Sequence, residues 1–192
     1  MLLRRVLSIL AIAFALSAQA AGDTMLIDDF SRNDFVSTLG SQWRAVSDRV
    51  MGGVSQASIA WDTVEGHHCL RLRGDVRLDN NGGFIQAALD LAPSGRRFDA
   101  SGYRGIRLVV RGNSEQYSLH LRTSDAQRPW QSYRAHFHAG YTWETIDLPF
   151  DAFASYRLES DLDTKNLTRL GIVAIGREFS ADLMIARVSL YR

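Results

Sequence analysis

The sequence is poor in cysteine: Cys69 is the only one in 192 residues. A lone thiol closes no disulfide within the chain, so the fold must rest on its core. Cys69 itself reads as a small packed residue rather than a nucleophile. Proline is scarce too, with three scattered copies, and no Pro/Ser-rich linker or low-complexity tract divides the chain. Helical periods long enough for an α/β crossover are missing, which excludes a doubly wound fold. Net charge is almost absent: +1 for the whole sequence, and −1 once Arg4 and Arg5 are set aside with the leader described next. A near-neutral domain has no basic footprint for nucleic acid, nor a polybasic run for anionic lipid. After the N-terminal segment no apolar run is long enough to cross a bilayer, so no membrane span is expected in the mature chain.

What is present begins at the N-terminus. Arg4 and Arg5 precede an apolar run from Val6 to Leu16 interrupted only by Ser8, and Ala18-Gln19-Ala20 supplies small residues for a peptidase. This layout predicts a cleavable secretory signal over residues 1–20 and a secreted or periplasmic mature chain. A mitochondrial transit peptide would be more amphipathic and richer in Arg. The surroundings of the Arg pair fit a twin-arginine signal poorly, and no Cys near the cleavage point offers a lipid anchor.

From Asp23 onward the text is a series of short alternating or apolar segments. Strands are expected at Met25–Phe30, Gln42–Val46, Val54–Trp61, Cys69–Val76, Gly83–Leu91, Gly105–Arg111, Tyr117–Thr123, Trp130–Phe137, Thr142–Leu148, Leu170–Gly176 and Leu183–Tyr191. Gly-rich and Asn-rich turns separate them. Short helical turns are expected at Pro149–Tyr156 and Asp161–Leu167. Many short strands with turn signals between them predict an all-β sandwich or barrel, here one domain over residues 26–192.

Strand parity sorts the side chains. Tyr117, Leu119, Leu121 and Thr123 share one side, and Ser118, His120 and Arg122 the other. Likewise Tyr133, Ala135 and Phe137 oppose Trp130, Ser132, Arg134, His136 and His138. Gly105–Arg111 turns Ile106, Leu108 and Val110 inward and Arg107, Val109 and Arg111 outward. If these three strands are neighbours, one sheet carries a row of Arg, His and Trp on its open face.

No Gly-x-Ser-x-Gly elbow exists. Asp48, Asp75, Asp79 and Asp90 lie near strand ends without a spacing that singles out a pair, and read as surface or turn-capping residues. His120, His136 and His138 offer three imidazoles, but no carboxylate or Cys completes a set and Arg134 would repel a cation, so no metal is expected. Gly52-Gly53 and Gly82-Gly83 lead into strands rather than helices, which argues against a phosphate loop, and no cofactor is expected. The open-face set His120, Arg122, Trp130, Arg134 and His136 is the candidate binding site. A flat indole beside forked donors suits a sugar, and the same chemistry suits a protein partner. The alternative is a solvated polar face.

The run Trp43-Arg44-Ala45-Val46-Ser47-Asp48-Arg49-Val50-Met51-Gly52-Gly53-Val54-Ser55 resembles the signature of the complex I intermediate-associated protein 30 family. Leu72-Arg73-Gly74, Asn81-Gly82-Gly83-Phe84, Tyr103-Arg104-Gly105-Ile106, Val110-Arg111-Gly112, Tyr133-Arg134-Ala135, Trp143, Leu148-Pro149-Phe150 and Phe153 follow in order. The resemblance implies a galactose-binding-like jelly-roll β-sandwich, similar to carbohydrate-binding modules. For mitochondrial members it implies a non-enzymatic chaperone of respiratory complex I assembly. It brings no catalytic residues. Trp43, Asp48, Met51, Gly52, Gly53, Ser55, Asn81, Gly82 and Gly83 are read as structural. In particular, Met51-Gly52-Gly53 is expected to form a turn or bulge feeding a strand from Val54, with backbone angles only Gly53 tolerates.

Overall fold

The computed structural model describes residues 24–93 and 96–192. The expected leader lies outside them. Twelve strands are described: β1 (Met25–Asp28), β2 (Arg44–Ser47), β3 (Ser58–Val64), β4 (His67–Val76), β5 (Phe84–Asp90), β6 (Gly105–Arg111), β7 (Glu115–Thr123), β8 (Ser132–Ala139), β9 (Glu144–Pro149), β10 (Ala154–Tyr156), β11 (Leu167–Ile175) and β12 (Phe179–Tyr191). They form two antiparallel sheets. The first runs β3-β4-β12-β6-β9, and the second β10-β8-β7-β11-β5-β2. Strand β12 is shared along its length: β4 pairs Phe179–Ile185, and β1 pairs Val188–Leu190.

Alternation sets which face is buried. Tyr117, Leu119, Leu121, Tyr133 and Phe137 are all buried in the core between the sheets. Burying each such side chain contributes roughly 1.5–3 kcal/mol, and a one-residue slip would expose the whole set. The opposite parity is therefore fixed as the outer face of the second sheet. Trp43, the largest buried side chain, packs against Phe30 and donates its indole Nε1–H to Asp28 Oδ2 at 2.8 Å.

Four local expectations need correction. β3 starts at Ser58 rather than Val54; ahead of it the Asp48 carboxylate holds Ser55, and Gln56 N donates to the Asp75 carbonyl at 3.1 Å. β8 starts at Ser132, leaving Trp130 in the preceding loop. Pro149–Tyr156 is not one helical turn. A 3-10 turn covers Phe150–Ala152, and then β10 pairs with the edge of β8. By contrast, the turn expected within Asp161–Leu167 is present, as a 3-10 turn at Thr164–Asn166. Finally, β6 is not a neighbour of β7: it lies in the other sheet, between β12 and β9. Arg107 therefore pairs with Asp147 at 2.6 Å, and Arg111 with Glu65, far from the candidate face.

Candidate functional site

The outer face of the second sheet is built in register rows. In one row Arg169 of β11 lies opposite Arg122 of β7, and on β8 and β10 Ser132 lies opposite Tyr156. In the next row Gly171, His120, Arg134 and Ala154 follow across β11, β7, β8 and β10. A third row holds Val46, Gln86, Val173, Ser118 and His136. Small residues in the middle of these rows leave a trough. At Gly171 an added Cβ would sit 2.7 Å from Gln86 Oε1, so the glycine makes room for that amide. The result is a cleft of about 460 Å³ across the sheet, within the usual range for ligand sites.

One end of the cleft is aromatic and cationic. Trp130 stands 45% exposed on the loop between β7 and β8. Arg122 braces that loop: its Nη2 donates to the carbonyls of Ala126 at 2.6 Å and Arg128 at 3.1 Å. Gln131 extends the brace, accepting from Arg128 N and donating to the Arg157 carbonyl. Arg134 bonds Ser132 Oγ through Nε at 3.0 Å and lies over the ring of Tyr156. His120 lies on the floor. Burial, then the neighbouring Arg134 and His136, push its pKa down to about 3, so the ring is neutral. Its Nε2 is buried without a hydrogen-bond partner among the described residues. The expected set is thus partly assembled: His120, Arg122, Trp130 and Arg134 line the cleft, whereas His136 projects from the same face but does not line it. Tyr156, Gln86 and Arg169 also line it and were not singled out in the sequence. The alternation of Gly83–Leu91 already places Gln86 opposite the core parity; Tyr156 had no such signal.

The other end is apolar and rests on a buried carboxylate. Val50, Met51 and Leu78 form an exposed lip. Beneath it, Asp48 is fully buried; of the two roles expected for it, surface or turn-capping, it takes the second. It accepts from Ser55 N at 2.9 Å, Gly83 N at 2.6 Å, Phe84 N at 3.3 Å and the Ser55 hydroxyl. Burial raises its pKa, but these donors outweigh burial and hold it below the ordinary value. Ser55 Oγ in turn accepts from Arg77 N at 2.9 Å. An added Cβ would lie 2.4 Å from the Asp48 carboxyl on Gly53, and 2.5 Å from its Oδ2 on Gly82. Gly53 is thus required by close approach to Asp48; the left-handed position is Gly52, at φ +91°. Asp48, Gly52, Gly53, Ser55, Gly82 and Gly83 form one node tying the loop after β2 to the start of β5. Met51 departs from the structural expectation: it is 48% exposed on the lip. The backbone of Asn81 lies in the 3-10 turn Asp79–Asn81.

Among the described residues no group of three or more His, Cys, Asp or Glu is placed to hold a metal, and no helix is long and apolar enough to cross a membrane. Burial raises the pKa of the Cys69 thiol to about 11, and its Sγ lies 3.6 Å from the Asp62 carbonyl.

Two antiparallel sheets packed face to face, with a cleft across the outer side of one, define a galactose-binding-like jelly-roll β-sandwich. Solved structures share this architecture. The family 11 carbohydrate-binding module of the cellulosomal cellulase Lic26A-Cel5E of Clostridium thermocellum superposes with a TM-score of 0.66, at 16% identity, over 90% of this chain and 96% of that one. A family 11 module from the same organism, solved with a β-1,3-1,4-mixed-linked tetrasaccharide, gives 0.67 at 16% identity over 90% and 97%. The family 30 module of cellulase Cel9D-Cel44B from that organism gives 0.62 at 14% over 87% and 96%. The chain belongs to the complex I intermediate-associated protein 30 family, matched over residues 29–185. No curated protein matches the chain in sequence.

Proposed function

We propose that this chain is an exported, non-enzymatic binding domain that takes a glycan across the cleft of its second sheet. The carrying observation is the meeting of an exposed indole, Trp130, with the unpartnered, buried Nε2 of His120 in one trough. A sugar ring offers an apolar face to the indole and hydroxyls to the imidazole, which as a neutral ring either donates or accepts. The fold shared with a module solved around a tetrasaccharide supports this reading. A glycan array with wild-type protein and Trp130→Ala tests it. Binding to at least one glycan, lost in the variant at unchanged melting temperature, is the expected result. Absence of any glycan signal would overturn it. Export rests on the Arg4-Arg5, apolar and Ala18–Ala20 pattern; mature protein from a native host should begin at Ala21 or within a residue or two, and intact Met1 would refute it.

A second reading, an assembly factor for a protein partner, rests on the family and on the exposed Val50, Met51 and Leu78 beside its signature. Apolar side chains standing in water are suited to docking. Met51→Asp should then abolish a stable co-purifying partner while leaving glycan binding intact.

A further inference from the structure

The lining of the cleft is lopsided in charge. Among the described residues Arg122, Arg134 and Arg169 reach it and no carboxylate does, in a chain of nearly balanced charge. Arg169 is already satisfied: it shares Asp90 with Arg44, at 2.6 and 2.8 Å. Arg122 and Arg134 are not. Among the described residues neither forms a salt bridge, and their partners are backbone carbonyls, the Ser132 hydroxyl and the Tyr156 ring. Both are partly withdrawn from water, which penalises a poorly compensated cation: Arg122 feels only the Asp90 carboxylate, which Arg44 and Arg169 already bridge, and no carboxylate acts on Arg134. They sit on adjacent rows of β7 and β8, beside Trp130 and above His120.

Resting on the glycan reading, we propose that the ligand is an acidic oligosaccharide, whose carboxylate or sulfate sits against Arg122 and Arg134 while a ring covers Trp130. Two forked guanidiniums match an oxyanion in plane and charge, whereas a neutral sugar would leave both cations uncompensated. A carboxylate and a sulfate ester present the same chemistry to this pair, so they are arms of the test rather than separate proposals.

The test is calorimetric titration of the mature protein with trigalacturonate, its uncharged methyl ester, a sulfated galactan oligosaccharide and the neutral mixed-linked tetrasaccharide. The expected result is at least tenfold tighter binding of one acidic arm than of both neutral ones. Arg122→Gln and Arg134→Gln should each weaken that arm at least tenfold. Arg122 also holds the loop carbonyls, so melting curves accompany both variants. Should Arg122→Gln melt early, Arg134→Gln carries the result, since Arg134 reaches a loop carbonyl only at 3.5 Å and its bond to Ser132 and stack on Tyr156 hold only the edge strand. Neutral sugars binding as tightly as acidic ones, with loss in Trp130→Ala, would overturn the acidic ligand and leave the glycan reading standing. Acidic binding untouched in folded Arg variants would overturn the assigned pair. Failure of every arm, together with a blank array, would remove the glycan reading itself.

Discussion

Arg134 lays its guanidinium 3.5 Å from the centre of the Tyr156 ring, joining β8 to the three-residue edge strand β10. A cation over an aromatic face at a partly desolvated site contributes about 1 kcal/mol. Tyr156→Leu should lower the unfolding free energy by about that amount in urea titrations, and Tyr156→Phe, which keeps the ring and loses only the hydroxyl's bonds to Arg157 and Arg134, should cost less. Equal stability of the Leu variant would mean that the stack contributes nothing to holding the edge.

Asp48 makes a larger claim on stability. Asp48→Asn turns an acceptor toward Ser55, Gly83 and Phe84 into a group that also donates, leaving buried N–H groups unmatched, at a cost of about 3 kcal/mol. Its folded pKa is depressed below 3.8, so its contribution is present above that pH and is lost as pH falls through the folded value. Acid titration of unfolding should therefore be shallower in the Asn variant below pH 3.8.

The two signature glycines should differ. Gly53→Ala forces a methyl group into the Asp48 carboxyl and should cost about 3 kcal/mol through overpacking. Gly52→Ala meets open space and carries only the left-handed backbone penalty, about 1 kcal/mol. Denaturant midpoints give the order directly; Gly52→Ala as the worse of the two would refute the steric account.

His120 predicts a second pH window. Its ring stays neutral in the fold down to about pH 3, while the unfolded chain protonates near 6.5. The unfolded state then binds the extra proton, so stability falls as pH drops below 6.5 and goes on falling toward 3. Between pH 7 and 5 the loss should be about 2 kcal/mol. His120→Gln should flatten that part of the profile, measured by urea unfolding at fixed pH steps.

Local alternation made the hairpin of β7 and β8 legible, because Tyr117, Leu119 and Leu121 of one strand and Tyr133, Ala135 and Phe137 of the other are apolar and land in one core. It also put His120, Arg122 and Arg134 on the correct outer side. Alternation says nothing about which strands are neighbours, so Arg107 and Arg111 were grouped with a sheet they do not join. Tyr156 escaped because β10 is three residues long and exposed throughout, with no apolar face to announce it. The buried state of Asp48 was invisible for another reason. Its Gly83 donor is 35 positions away in the chain, and a carboxylate bears no mark of the partners that will enclose it.

The central placement of β12 bears on when the protein can fold. This thirteen-residue strand pairs with β4, β6 and β1, so most of the first sheet is assembled on a strand made after all its partners. Until Phe179–Tyr191 has been made, β4 and β6 have no common partner and half the sandwich lacks its second layer. Pairings this distant in sequence form slowly. A chain that has not yet added β12 therefore holds every strand of the second sheet but cannot close the first sheet over it.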